Sequence, residues 1–310
     1  MASAIHAIRE PLGAHAAPAV ERSAPSRTPL YATLNLDFAL DPSSGQTILA
    51  ASHQQPPLRV VRAFSRHDGS ALAHLHNVSG GLLGGDDLAL SVRVAPRASV
   101  QLTTTGATRV YRPSAESAGV VQTNEITLAE DALLEYVPDA LIPYAASRYR
   151  QRTTIHLAQG AGLFWWEILA PGREARGELF EYESLANATD VFASGRLVAT
   201  ERVRIEPGER APSSLARLGL FRYWATFYIC RAGLDAAVWL ALERQLREAA
   251  VSLPSRGRTA WGISTLVAHG LVVRCLAERG SDVQPGLHVL WRAAKLALYG
   301  AEPIPPRKVH

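Results

Sequence analysis

Ser91–Thr104 reads SVRV-APRA-SVQLTT: a strand pattern, a short Ala-x-x-Ala turn and a second strand pattern. The chain writes the same unit twice more, as EITL-AEDA-LLEYV at Glu125–Val137 and as TIHL-AQGA-GLFWWEIL at Thr154–Leu169. The turns begin at Ala95, Ala129 and Ala158, so the unit returns after about 30 residues. A looser fourth copy is RVRI-EPGE at Arg202–Glu209. Repeats of this length are supersecondary pieces that bury their faces only by stacking. Strand–turn–strand units stacked this way predict a β-solenoid-like, layered body, with coincidental hairpins as the alternative.

Around these units, residues 31–210 read as strands. Leu34, Leu36 and Phe38 alternate with polar neighbours, as do Leu88, Leu90, Val92 and Val94, the period of a sheet with one buried face. The last third changes character. Leu234–Val251 has apolar residues at helical spacing, and Gln284–Tyr299 reads as a second helix ended by Gly300. Between them, Trp261–Val267 and Leu271–Ala277 predict a hairpin. The expectation is a mainly β fold with two C-terminal helices (α+β). It comprises a β body over about 31–210 and a helix–hairpin–helix part over about 211–300, in one domain from 31 to 310. Residues 1–30, rich in Ala and Pro and carrying Glu10 and Glu21, read as a disordered extension rather than a secretory signal.

Composition narrows the class. Of 310 residues, 47% are hydrophobic and 19% charged, which fits a folded soluble domain. The net charge of +4 comes from interspersed residues, with no basic stripe to track phosphates, so nucleic acid is not expected as a partner. No apolar run is long enough for a membrane span. Two cysteines, Cys230 and Cys275, make neither a disulfide framework nor a thiolate metal site and read as buried thiols of a cytoplasmic protein.

The chemistry-bearing residues cluster. Asn77–Arg112 sets two glycine pairs, Gly80-Gly81 and Gly84-Gly85, before Asp86-Asp87, and runs on to Thr103–Tyr111. It is no phosphate loop, because aspartates stand where a P-loop has Lys and Ser/Thr. It reads either as a shaped site or as two tight turns with solvated aspartates. No nucleophile motif or helical histidine pair is present; His74 and His76 share one face of a strand. Carboxylates are set among apolar strand residues: Glu135 in LLEYVPD with Asp139 after it, Glu167 in LFWWEIL, Glu178 and Glu181 in GELFE, and Glu201 in LVATERV. Such groups seldom bury without partners; several lining one passage would offer hard oxygen donors to a divalent ion. Glu167 beside Trp165 and Trp166 also admits a cytosolic β-solenoid carbohydrate-active enzyme, with Glu167 as general acid. The apolar segments LFWWEIL and LFRYWATFYIC are either partner-covered surface or core strands.

The blocks NVSGGLLGGDDLALSVRV, QLTTTGATRVYR, LLEYVPDALIPYAASRYRQ, ARGELFEYE and LVATERV, in this order, resemble the UreD (UreH) family of urease accessory proteins. The similarity runs from about Tyr31 to Arg307. Arg97 stands in a turn where the family typically has Gly, and Pro306-Arg307-Lys308-Val309 only partly matches the family's ending. The resemblance implies a non-enzymatic maturation factor with a β-helix-like body. It would bind apo-urease and recruit UreF, which docks the GTPase UreG, and the assembly would deliver nickel to urease. It implies no tightly bound cofactor, only transient Ni2+ in an internal tunnel. Asp86, Glu167 and Glu201 are carried over as metal-path residues. Thr108, Arg109, Tyr111, Glu135, Asp139, Arg148 and Glu178 are tunnel or partner candidates, with Arg109 and Arg148 either balancing the carboxylates or touching a partner.

Overall fold

A computed structural model describes residues 31–114, 117–253 and 257–306. The expectations for residues 1–30 and for the ending at 307–309 fall outside the described residues. Strands β1 (Tyr31–Leu40) and β2 (Thr47–Gln54) make the opening hairpin. The short β3 (Leu58–Arg59) and β4 (Ala63–Ser65) flank β5 (Ala71–Asn77). The first repeat unit is β6 (Asp87–Val94) and β7 (Ser99–Thr104), followed by β8 (Thr108–Val110). The second is β9 (Val120–Leu128) and β10 (Leu133–Tyr136), followed by β11 (Leu141–Pro143). The third is β12 (Arg148–Leu157) and β13 (Gly162–Leu169). After these come β14 (Ser184–Ala193), β15 (Arg196–Ile205) and β16 (Tyr223–Arg231). Helix α1 (Ala236–Val251), β17 (Thr259–Thr265), β18 (Gly270–Ala277) and α2 (Gly280–Tyr299) complete the chain.

Each repeat unit gives its first strand to one sheet and its second to another. The first sheet runs β15-β14-β12-β9-β6-β1-β2, parallel from β14 to β1; the second runs β17-β18-β16-β13-β10-β7-β5-β3, parallel from β13 to β5. The three Ala-x-x-Ala turns are superposable in their bonding. Ala98, Ala132 and Ala161 each donate a backbone N–H to the first alanine of the turn at 3.1 Å. The third turn position has positive φ every time: Arg97 62°, Asp131 54°, Gly160 73°. Turns also bond to turns, Arg97 N–H to Glu130 O and Asp131 N–H to Gln159 O. Arg97 therefore keeps the turn that a glycine would make.

The fourth copy does not continue the pattern. Glu206–Glu209 does turn, but β15 belongs to a hairpin with β14 inside the first sheet, and no strand follows until β16. β16 joins the second sheet antiparallel to β13. It lies in LFRYWATFYIC, in the region expected to be helix–hairpin–helix, so the second sheet extends past residue 210. From Tyr223 on, that segment is a core strand, as is LFWWEIL (β13). Trp165, Trp166, Phe227 and Ile229 are buried, and the apolar length reflects strands covered on both faces, whereas Leu220 before β16 is exposed.

Between the sheets sits one core, with Leu34, Leu36, Phe38, Leu90, Val92, Ile126 and Ile155 facing Val100, Leu102, Leu163 and Trp165. On the far side of the second sheet, Phe164, Trp166 and Phe227 pack under α1 and α2, with Trp166 and Trp291 edge to face at 5.6 Å. Helix α2 begins four residues before the expected Gln284. Asp282 in its first turn suits the positive end of the helix and pairs with Arg258 at 3.1 Å. Gly300 closes it at φ 64°. Cys230 and Cys275 are buried and free.

Candidate functional site

The glycine-rich loop is shaped by division of labour within each glycine pair. Gly80 and Gly85 take positive φ, 78° and 87°, while Gly81 and Gly84 permit contact. A β-carbon on Gly81 would fall 2.5 Å from the Tyr111 ring, and one on Gly84 would fall 2.5 Å from Pro113 Cα. Leu82 thereby pairs with Val110, its N–H reaching Arg109 O at 2.7 Å. Asp86 is not solvated. It is 2% exposed, and its Oδ2 accepts the Leu83 N–H at 2.8 Å, clasping the second turn.

Behind this loop, the space between the sheets changes from oily to polar. Side chains two apart on a strand share a face. β9, β12 and β14 each carry two polar groups on the inward face at one height. Gln151 lies opposite Gln122 and Asn187, and Thr153 lies opposite Asn124 and Thr189. They are wired together: Asn124 Nδ2 donates to Thr153 Oγ1 at 3.0 Å, Gln122 Nε2 to Asn124 Oδ1 at 3.0 Å, and the Tyr149 hydroxyl to Gln151 Oε1 at 2.7 Å. The next strand, β15, sets Glu201 beside Thr189. From the opposite sheet, β13 supplies Glu167, which accepts the Gln151 amide N–H at 2.5 Å.

All of these but Asn124 and Thr153 wall a cavity of about 70 Å³, room for a few water-sized occupants. Glu167, Glu201, Asp139 and Thr108 all line it, with Gln122, Gln151, Asn187, Tyr136 and Thr226. Burial pushes the Glu167 carboxyl up to about 7; the Gln151 amide opposes this and the charge of Glu201 adds to it. Glu201 accepts the Tyr228 hydroxyl on Oε2 at 2.6 Å and the Arg274 guanidinium on Oε1 at 3.2 Å. Asp139 accepts from Gln284 of α2 at 2.8 Å. A second hollow, of about 260 Å³, lies beneath the glycine loop and is lined by Gly80, Gly81, Arg109, His76 and Thr104. The two hollows share Thr108, Gln122 and Tyr136 in their walls.

The other sequence candidates stand apart from this cavity. Asp86 clasps the loop, outside the walls of both hollows. Arg109 borders the second hollow and points to Gly80 O at 3.5 Å. Tyr111 packs edge-on against Tyr144 at 5.0 Å over the first glycine pair. Glu135 is on the opposite face of the second sheet, bonded to Lys295 of α2 at 2.5 Å. Arg148 donates to Ser117 O at 2.6 Å and lies 3.7 Å from Glu183. Glu178 is held well below the ordinary carboxylate range by Arg173. Neither Arg109 nor Arg148 balances the cavity acids; Arg274 does. His74 is edge-on to Phe64, and no cluster of three or more His, Cys, Asp or Glu suits a metal among the described residues.

The sequence reading missed the amide and hydroxyl lining, although a signal was present. Gln122 and Gln151 stand seven residues before Ala129 and Ala158, and Asn124 and Thr153 five before them, where the first unit has Leu88 and Leu90 before Ala95. Polar pairs at inward parity in two successive units mark a wet stretch of interior.

Comparison with known proteins adds the lineage. The sequence model for the UreD urease accessory protein family matches residues 31–310. The chain belongs to the UreD family. It is 46% identical over 281 residues to the urease accessory protein UreD of Herpetosiphon aurantiacus, covering 91% of this chain and 97% of that one. UreD of Pseudomonas aeruginosa strain UCBPP-PA14 is 35% identical over 252 residues, 81% of this chain and 85% of its own. UreD of Klebsiella aerogenes is 30% identical over 272 residues, 88% and 94% of the two. This UreD-family chain accordingly has its role in urease maturation. No helix among the described residues is long and apolar enough to cross a membrane.

Proposed function

We propose that this chain binds apo-urease in the cytoplasm and, with UreF and the GTPase UreG docked through it, supports nickel delivery. The Glu167–Glu201 cavity is the loose holding point for Ni2+ in transit. The observation that carries this reading is the meeting of two glutamates from opposite sheets in one small cavity, with Asp139 as the third carboxylate of a lining otherwise made of amides, hydroxyls and apolar groups. A conducting site must bind firmly enough to admit an ion and weakly enough to release it. Carboxylates with neutral oxygen donors meet that demand, whereas thiolates would trap a borderline-soft ion. The cysteines supply none, since burial pushes both thiols up to about 12. Asp86 enters as the clasp of the glycine loop, leaving the glutamate pair as the metal-path residues. We read the body as a solenoid-like stack of the three repeat units, a frame that keeps this passage open.

Catalysis is no part of this reading. The carbohydrate-enzyme alternative needs indoles free to stack on sugar. Trp165 is 1% exposed and stacked on Tyr136 between the sheets, and Trp166 is 1% exposed under the helices. The test is urease activation from purified components, comparing wild type with the double variant E167Q/E201Q. Nickel bound per urease is expected to fall several-fold with the accessory complex still assembled. Equal nickel content would remove the cavity from the delivery route.

A further inference from the structure

We infer that Arg274 is a displaceable counter-ion beside the cavity, a latch that occupies Glu201 until a divalent cation takes its place. The inference rests on the cavity reading above. One register row crosses the second sheet as Glu167, Thr226, Arg274 and Gly262, from β13 through β16 and β18 to β17. Residues directly opposite in a sheet project to the same face, so acid, hydroxyl and base all point towards the first sheet. Glu201 comes from the edge region of that first sheet to meet them.

Its two oxygens are both engaged at rest, Oε2 by the Tyr228 hydroxyl at 2.6 Å and Oε1 by Arg274 Nη2 and Nε at 3.2 and 3.4 Å. Glu201 has no oxygen free of a donor while the guanidinium stays. The Arg274 side chain, however, is 56% exposed against 16% for Glu201. It leans from solvent onto a shielded carboxylate, and the next residue in its row is a glycine with no side chain to hold it. Ion pairs with one exposed partner are weak and exchange readily. The arrangement offsets the charge of Glu201, opposes idle capture of cations and yields to a divalent charge. Arg274 touches Glu201 rather than the cargo, so it is a positioning residue.

Equilibrium dialysis of the full-length chain against Ni2+, for wild type, R274A, R274K and E167Q, tests the latch. R274A is expected to bind nickel about three- to tenfold more tightly and release it correspondingly more slowly, because a competing cation is gone. R274K keeps the charge and is expected to restore near-wild-type binding, which a merely structural strut would not predict. Weaker or unchanged binding in R274A overturns the latch. If E167Q still weakens binding in that case, the cavity reading stands without it. If E167Q leaves binding unchanged as well, both readings fall.

Discussion

Burial pushes the Glu167 carboxyl up to about 7 from an ordinary 4.5, despite the Gln151 amide that favours its charged form. The folded protein therefore holds a proton that the unfolded chain has already lost across this interval. The neutral form's contribution to stability is full below pH 4.5 and is lost as the pH rises through 7. At pH 8 the buried charge costs on the order of 3 kcal/mol relative to a neutral group. Glu167→Gln keeps an acceptor for Gln151 and removes the titration. The variant is expected to melt a few degrees higher than wild type at pH 8, with the gap narrowing towards pH 5. Paired melting curves across that range check it; a constant gap would mean that Glu167 ionises freely. The same proton competes with a cation. Wild-type nickel affinity should climb as the pH rises from 6 to 8, and that of the variant should stay nearly flat.

Among the elements, the Ala-x-x-Ala turns show how far local sequence reaches. Their period announced three strand–turn–strand units, and all three formed, because alternation fixes which residues face inward and the turn sets the corner. The pattern could not say that the two strands of a unit lie in different sheets. That depends on which neighbour each strand meets, a choice made about 30 residues away in sequence. The same limit misled the reading of RVRI-EPGE, where the turn exists but β15 folds back on β14. Arg97 and Gly160 occupy one turn position with opposite suitability for positive φ. Arg97→Gly should stabilise by about 0.5–1 kcal/mol, the left-handed strain relieved less the added freedom of the unfolded chain. Gly160→Ala should destabilise by about 1–2 kcal/mol or more, since its β-carbon would also fall 1.9 Å from Asp131 Oδ1. Denaturant unfolding of the two variants gives opposite signs if the turns are equivalent. A shared sign would show that they are not.

At the scale of the whole molecule, sequence patterning showed a β body and two helices but not what joins them. Glu135 was legible as a carboxylate in an apolar strand; its partner, 160 positions away in α2, was not. The structure pairs Glu135 with Lys295 at 2.5 Å, both nearly inaccessible, on the helix-facing side of the second sheet. Gln101 donates to the other Glu135 oxygen at 2.9 Å and to Ile304 O at 3.1 Å, and Arg66 donates to the same carbonyl at 2.5 Å. Thus β7, β10, α2 and the segment after α2 are tied at one buried knot, with the Glu167 cavity on the opposite face of the sheet. Removing one member of a buried ion pair strands the other charge, at about 3–5 kcal/mol, whereas replacing both with neutral groups is often tolerated. Lys295→Met and Glu135→Gln should each destabilise by about that amount, and the double variant should recover most of the loss. A double-mutant cycle by chemical denaturation measures it. Additive losses would mean that the pair does not couple the helical layer to the sheet. Strong coupling with normal nickel transfer in the double variant would separate the knot that holds the frame from the acids that serve the cargo.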